Sequence, residues 1–286
     1  MLQFMLAPFV ACMVLVGIHS YLGLHVIARE VIFVDLSLAQ MAALGSVVAL
    51  LAGVAPDSPT AFISALAFTG VGAVVFALTR TAGKGRVPHE AIIGIVYVVA
   101  SAAAILAASK EPRGAEAIRD VLQGSIIWVT WPTIARKTAA YAALGLFHYI
   151  LRRRFLTVSF HPEVAEREGW KIKWWDFWFY ISFGVAVTIS VPLAGVLMVF
   201  TMLVVPATIA FLFTRDIRKL VLISWGSGAL ASLLGLWVSY VADLPTGPLI
   251  VCMYGLVLAA AGLLRRLGVG GVADIKIGRA SCRERV

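Results

Sequence analysis

Nine apolar runs divide this sequence, near residues 4–24, 31–54, 61–79, 91–109, 134–151, 174–191, 194–213, 220–241 and 247–264. Each is long enough to cross the roughly 30 Å hydrocarbon core of a bilayer as a helix of about 17 to 25 residues. The expected fold is an all-α polytopic membrane protein of about nine transmembrane helices. Eight to ten spans are admitted, because VLQGSIIWVTW (Val121–Trp131) is too short to cross and reads as re-entrant or interfacial. The remaining loops are short, with no low-complexity tract and no internal repeat. Residues 1–276 therefore read as a single membrane domain, with lipid as its solvent.

Composition excludes several classes of function. Across 286 residues, 61% hydrophobic against 14% charged, with a mean hydropathy of +0.94, is far from an ordinary globular domain. A net charge of +9 in a soluble chain would suggest nucleic acid. Here the basic residues cluster at span ends, as orientation in a bilayer requires, and no nucleic-acid partner is expected. No Lys or Arg precedes Arg29 and no small-residue cleavage pattern follows the first apolar run, so that run is expected to be a retained span. Cys12, Cys252 and Cys282 give neither a disulfide framework nor a CxxC metal pair. The last ten residues, IGRASCRERV (277–286), look like the translation of a sequencing adapter. They carry three arginines and one glutamate, so without them the net charge is +7.

The longest wet stretch is RRRFLTVSFHPEVAEREGWKIKWW, Arg152–Trp175. Its charges are too costly to leave in hydrocarbon without partners, so it lies outside the membrane. Within it, Pro162 suits the first turn of a helix, Glu163 the positive end of the helix dipole, and Gly169 a left-handed stop. About two turns of exposed helix are predicted. If this stretch is cytoplasmic, the same side holds Arg29, Arg80, Lys84, Arg86, Arg215, Arg218, Lys219, Arg265 and Arg266. With six more in the stretch itself, fifteen Lys and Arg lie inside against five outside, Lys110, Arg113, Arg119, Arg136 and Lys137. The positive-inside rule then places the N-terminus outside.

FHPEVAEREG, from Phe160 to Gly169, resembles the cytoplasmic segment Phe-Asp-Pro-Glu-x-Ala-x-x-x-Gly of the permease subunits of zinc/manganese-type ABC importers. The match covers Phe160, Pro162, Glu163, Ala165 and Gly169, and His161 replaces the usual Asp. Other stretches carry the same resemblance. GLHVIAREVIFVDLSLAQMAALG (Gly23–Gly45) is similar to the family's first-to-second-span region, and EAIIGIVYVVASAAA (Glu90–Ala104) to the opening of a central span. LQGSIIWVT is similar to the family's Leu-x-Gly-Ser-Ile-Leu segment. Pro206, Ala207 and Ala210 match its Pro-Ala-x-x-Ala, and Asp243-Leu-Pro-Thr-Gly-Pro248 its Asp-Leu-Pro-x-Gly turn near the outer surface. Resemblance runs from about residue 12 to 265 and implies an ABC importer permease fold in a bacterial-type plasma membrane. It also implies a separate ABC ATPase subunit that consumes the ATP, an extracytoplasmic metal-binding protein, and a second copy of this chain. A transported divalent metal, zinc or manganese with iron as the further alternative, and no tightly bound cofactor complete that picture. The ATPase-coupling helix would comprise Pro162, Glu163, Ala165, Glu166 and Gly169.

Polar groups entering a span are functional candidates by default. Asp35, Ser37 and Gln40 qualify, and Ser37 and Gln40 lie three residues apart on one helix face, close enough to share a water or an ion. The family's usual His stands where this chain has Gln40, and its usual Asp falls at Leu36. Asp35 is thus displaced by about 100° around the helix. Gln40 either lines the path, where an amide oxygen is a weaker zinc ligand than imidazole, or makes an interhelical hydrogen bond. Pro206 interrupts a helix ladder and frees a carbonyl, which lines a polar path or accompanies a packing kink. Asp243 either meets the metal first or caps its turn. Glu90 suits a helix N-terminus. His19, His25 and His148 lack ligand spacing and read as helix-contact or interfacial groups, so no metal ligand is assigned. His89-Glu90 is followed by Ile93 where HExxH needs His, and no phosphate loop or nucleophile elbow is present. Catalytic residues are not expected. The competing reading is a stand-alone secondary transporter of a small cation or solute, which needs ionisable residues along a mid-membrane path.

Overall fold

The structure is a computed structural model that describes residues 2–55, 58–80, 88–110 and 122–268. The adapter-like tail and the cations Lys84, Arg86, Arg113 and Arg119 lie outside the described residues. Lipid offers no partner to an open backbone, so segments this apolar must satisfy their own N–H and C=O groups. All regular elements among the described residues are helical. They are α1 (Leu2–Ala28), α2 (Val34–Leu51), α3 (Pro59–Thr79), α4 (His89–Ala108), α5 (Trp131–Ile150) and α6 (Arg152–Phe160). Then come α7 (Pro162–Arg167), α8 (Ile172–Phe213), α9 (Ile217–Ala242) and α10 (Thr246–Arg266), and one 3₁₀ turn, Ile126–Trp128, precedes α5.

Helix α8 has 42 residues, which at about 1.5 Å per residue would reach twice the thickness of the hydrocarbon. It does not run straight. Gly195 has φ 75° and ψ 157°, outside helical geometry, and the chain doubles back there. Contacts with α1 show the reversal. On the first arm, Asp176 meets Arg29 and Ser190 meets His19, so the two run antiparallel. On the second arm, Met202 meets Ser20, and Phe211 reaches Phe160, whose ring also packs on His25, so this arm runs parallel to α1. The two expected spans, 174–191 and 194–213, are thus the arms of one hairpin.

Helical hairpins normally need a loop of about two to five residues. This one needs a single residue, because another backbone braces it. A Cβ on Gly195 would lie 2.5 Å from the Leu122 carbonyl oxygen, and one on Gly124, itself at φ 65°, would lie 2.8 Å from that of Leu193. The Ser125 N–H donates to the Leu193 carbonyl at 3.0 Å. The segment around residues 122–128, too short to span, is therefore wedged against the reversal as a non-crossing element.

Seven of the described helices are long and apolar enough to cross a membrane. Counting α8 twice gives eight passes. Helix α5, with Arg136 and Lys137, is more polar, yet it follows the first arm of α8 from end to end. Lys137 Nζ donates to the Ile189 carbonyl, Tyr141 meets Ser190 at 2.6 Å, and His148 meets Ser182 at 2.9 Å. It occupies the place of the expected span 134–151. Packing concentrates where α1 meets both arms: Leu15, Leu22, Phe179, Tyr180, Phe183 and Met202 are all buried. Between helices in lipid, such close van der Waals contact replaces the hydrophobic driving force.

Candidate functional site

The predicted short helix forms within this stretch, and a second helix that the sequence reading did not expect precedes it. Helix α6 buries Phe155, Val158 and Ser159 against the spans. Helix α7 begins with Pro162 and runs for six residues, about a turn and a half. Glu163 and Glu166 are exposed, whereas Ala165 is fully buried and pins the helix from beneath. Gly169, at φ 71°, ends it: the Trp170 N–H donates to the Ala165 carbonyl five residues earlier at 2.9 Å, as in a Schellman stop. The Arg154 guanidinium lies 4.0 Å over the Trp170 ring and fixes the exit. A cavity of about 1320 Å³ opens beside α7, between Pro162, Glu163 and Glu166 on one side and Leu78, Arg80 and Glu90 on the other.

Behind α7 lies a polar node that the sequence did not disclose. Arg29, fully buried just past the end of α1, donates from Nη1 to Asp176 Oδ1 at 2.6 Å and from Nε to Ser159 Oγ at 2.7 Å. Ser159 Oγ also lies 2.8 Å from His25 Nδ1. Arg80, at the end of α3, pairs with the same Asp176 oxygen. Burial lowers the Arg29 guanidinium from its ordinary value, and the Asp176 carboxylate raises it back toward the charged form. The Phe179 ring, 3.9 Å from the guanidinium carbon, covers Arg29. Four segments that are remote in sequence thus meet on one carboxylate and one hydroxyl. A signal for Asp176 existed: a lone carboxylate in WWDFWFY is an intramembrane charge that needs a partner.

The three intramembrane histidines act as helix contacts. His19, His25 and His148 each reach a serine on another element, Ser190, Ser159 and Ser182. Among the described residues no three His, Cys, Asp or Glu side chains converge as a metal cluster.

The candidates on α2 separate. Asp35 is fully buried and neither carboxylate oxygen has a hydrogen-bond partner among the described residues. Ser37 donates to the Ile93 carbonyl of α4 at 2.6 Å, so its proton is directed to a neighbouring helix and not toward Gln40. Gln40 is half-buried, and its amide makes no hydrogen bond with the described residues. Glu90 accepts the Phe33 N–H at 2.9 Å and so serves the start of α2, a helix terminus other than its own. Pro206 is buried in a stretch that stays helical. Its ring cannot donate to the Met202 carbonyl, and Ser20 Oγ of α1 approaches that oxygen at 3.5 Å. The break in α8 falls at Gly195 instead. Asp243 is exposed at φ 52° and closes the end of α9; Ser239 ties the turn to Leu244 and Thr246, each at 2.8 Å.

Comparison with known proteins agrees with this geometry. The manganese transport system membrane protein MntC of Listeria monocytogenes is 25% identical over 203 residues, 68% of this chain and 71% of that protein. The manganese import system permease protein ScaB of Streptococcus gordonii is 24% identical over 200 residues, covering 68% and 69%. The solved structure of PsaBC from Streptococcus pneumoniae in complex with Fab shares the fold, with a TM-score of 0.75 at 20% identity over 91% of this chain and 92% of that one. The family model described as the ABC 3 transport family matches residues 1–264. A helical membrane protein built as an ABC permease and not itself an enzyme, this chain belongs to the ABC 3 transport family.

Proposed function

We propose that the chain is the membrane-spanning subunit of an importer for a divalent metal ion, manganese or zinc, in a bacterial plasma membrane. It works as a homodimer, receives metal from an extracytoplasmic binding protein, and is driven by a separate ATPase that docks on Pro162–Arg167. The observation that carries this reading is α7 itself: a short helix outside the spans, pinned by Ala165, stopped by Gly169, and presenting Glu163 and Glu166 to solvent. The membrane ends that carry Arg29, Arg80, Arg215 and Arg265 gather on the same face as α7, which supports its cytoplasmic placement. Asp35, Ser37 and Gln40 remain the candidates along the path, with Pro206 in the second arm of α8 and Asp243 on the outer rim.

Purification of the tagged chain from its own membranes should bring an ATPase with it. The complex in proteoliposomes should then take up radiolabelled manganese or zinc only with ATP. Ala165→Trp should keep the permease folded yet lower uptake while ATP hydrolysis continues, because the bulky ring lifts α7 off its seat. Uptake by the chain alone, driven by an ion gradient, would favour the secondary-transporter reading.

A further inference from the structure

We infer that Ser159 is a positioning residue that ties the docking helix to the membrane spans, so that the hydroxyl of one serine sets how much metal moves for each ATP consumed. This rests on the reading of Pro162–Arg167 as the ATPase contact. A serine in a helix ordinarily turns its hydroxyl back to the carbonyl four residues earlier. Thr157, two residues away on α6, does so, donating to Arg153 at 2.8 Å. Ser159 does not. Its oxygen leaves α6 altogether, to accept from Arg29 Nε at 2.7 Å and to meet His25 Nδ1 at 2.8 Å. All three side chains are buried, so the contacts are neither screened nor exchanged with water.

Ser159 joins the centre of the bundle to the start of the docking helix. Arg29 passes the connection to Asp176 on the first arm of α8, and Asp176 to Arg80 on α3. The next residue, Phe160, stacks on Phe211 of the second arm, with centroids 6.4 Å apart, and packs at 5.8 Å on His25. Only Phe160 and His161 separate Ser159 from Pro162, the first residue of α7. Over that distance a chain cannot absorb much displacement, so a shift of α7 is delivered to α1 and to both arms of α8 through this anchor. The fully buried node holds Arg29 and Asp176 in one arrangement only while Ser159 completes it. Without the hydroxyl, Arg29 Nε is left unpaired and the link from α7 to α1 loses its direction, although α7 keeps its exposed face.

The test uses the intact complex with its co-purifying ATPase in proteoliposomes, where manganese uptake and ATP hydrolysis are measured together. Ser159→Ala should keep the bound ATPase and its hydrolysis but lower metal transported per ATP by about 2- to 30-fold, the range expected when a coupling contact is removed. Ser159→Thr, which keeps the hydroxyl, should restore the ratio. Should Ser159→Ala fail to fold, Ser159→Cys, of similar shape and far weaker hydrogen bonding, reads the same ratio. A wild-type ratio in Ser159→Ala, or in Ser159→Cys where that variant stands in for it, overturns the inference while leaving the docking reading intact. So does a Ser159→Thr protein as uncoupled as Ser159→Ala, because the hydroxyl would then be irrelevant. A wild-type chain that carries no ATPase overturns both.

Discussion

The two ends of the α8 hairpin are held by opposite means. At the end where the chain reverses, backbone lies on backbone: Gly195 and Gly124 cross with no side chain between them, and the Ser125 N–H closes the gap. At the other end charge does the holding, with Arg29 and Arg80 on Asp176 and Ser159 beneath. A backbone crossing has one geometry and admits no rearrangement short of rupture. A cluster of polar side chains keeps its arrangement only while every partner is present, so the loss of one donor or acceptor changes how the others pair. The hairpin therefore reads as fixed at its tip and dependent on its partners at its base, next to the docking helix.

The largest effect should come from the base. Asp176→Asn strands buried Arg29 without its counter-charge and should destabilise by about 3–5 kcal/mol, read as a fall in unfolding temperature of the detergent-solubilised chain. Adding Arg29→Met, which removes the stranded charge, should recover most of that loss. At the tip, Gly195→Ala should cost about 2–4 kcal/mol from left-handed backbone strain together with the clash on Leu122. Gly124→Ala should behave alike, and the double variant should cost less than the sum because both substitutions open one crossing. If the tip variants proved as mild as surface changes, the contrast between the ends would be lost. Arg80→Gln sharpens it: this second cation is 16% exposed and shares an oxygen already taken by Arg29, so its loss should cost no more than about 1 kcal/mol. Smallest should be Ser37→Ala, about 0.6 kcal/mol, the average worth of a hydrogen bond between membrane helices.

Much of this was legible from local chemistry. The expected span 61–79 became Pro59–Thr79, 91–109 became His89–Ala108, and 247–264 became Thr246–Arg266. The apolar stretch and its flanking polar residues specify each one independently of the rest. Gly169 announced the stop of α7 for the same reason, since a left-handed C-cap is a property of the few residues around it. Pairings across the chain were hidden. Arg29 and Asp176 are 147 residues apart, and neither sequence neighbourhood specifies which charge the other will find. Gly195 looked like any of 25 glycines, because its role depends on Gly124 arriving from a distant segment. The partner of Ser37 was hidden for a related reason: helical spacing placed it on one face with Gln40, but α4 offered its hydroxyl proton a carbonyl that no pattern within α2 could reveal.

The single-residue tip also bears on how the chain is made. Between Lys173 and Arg215 the only charge is Asp176, and none flanks the reversal at Gly195. Signals that orient nascent spans are Lys and Arg near their ends, and here they stand only at Lys171 and Lys173 before the first arm and at Arg215, Arg218 and Lys219 after the second. Neither arm carries a sorting signal of its own at the tip, and no loop exists there for the translocation machinery to pass across separately. With no Lys or Arg at the tip, nothing in residues 172–213 orients one arm independently of the other, so the two arms share whatever orientation the basic residues at their open ends impose.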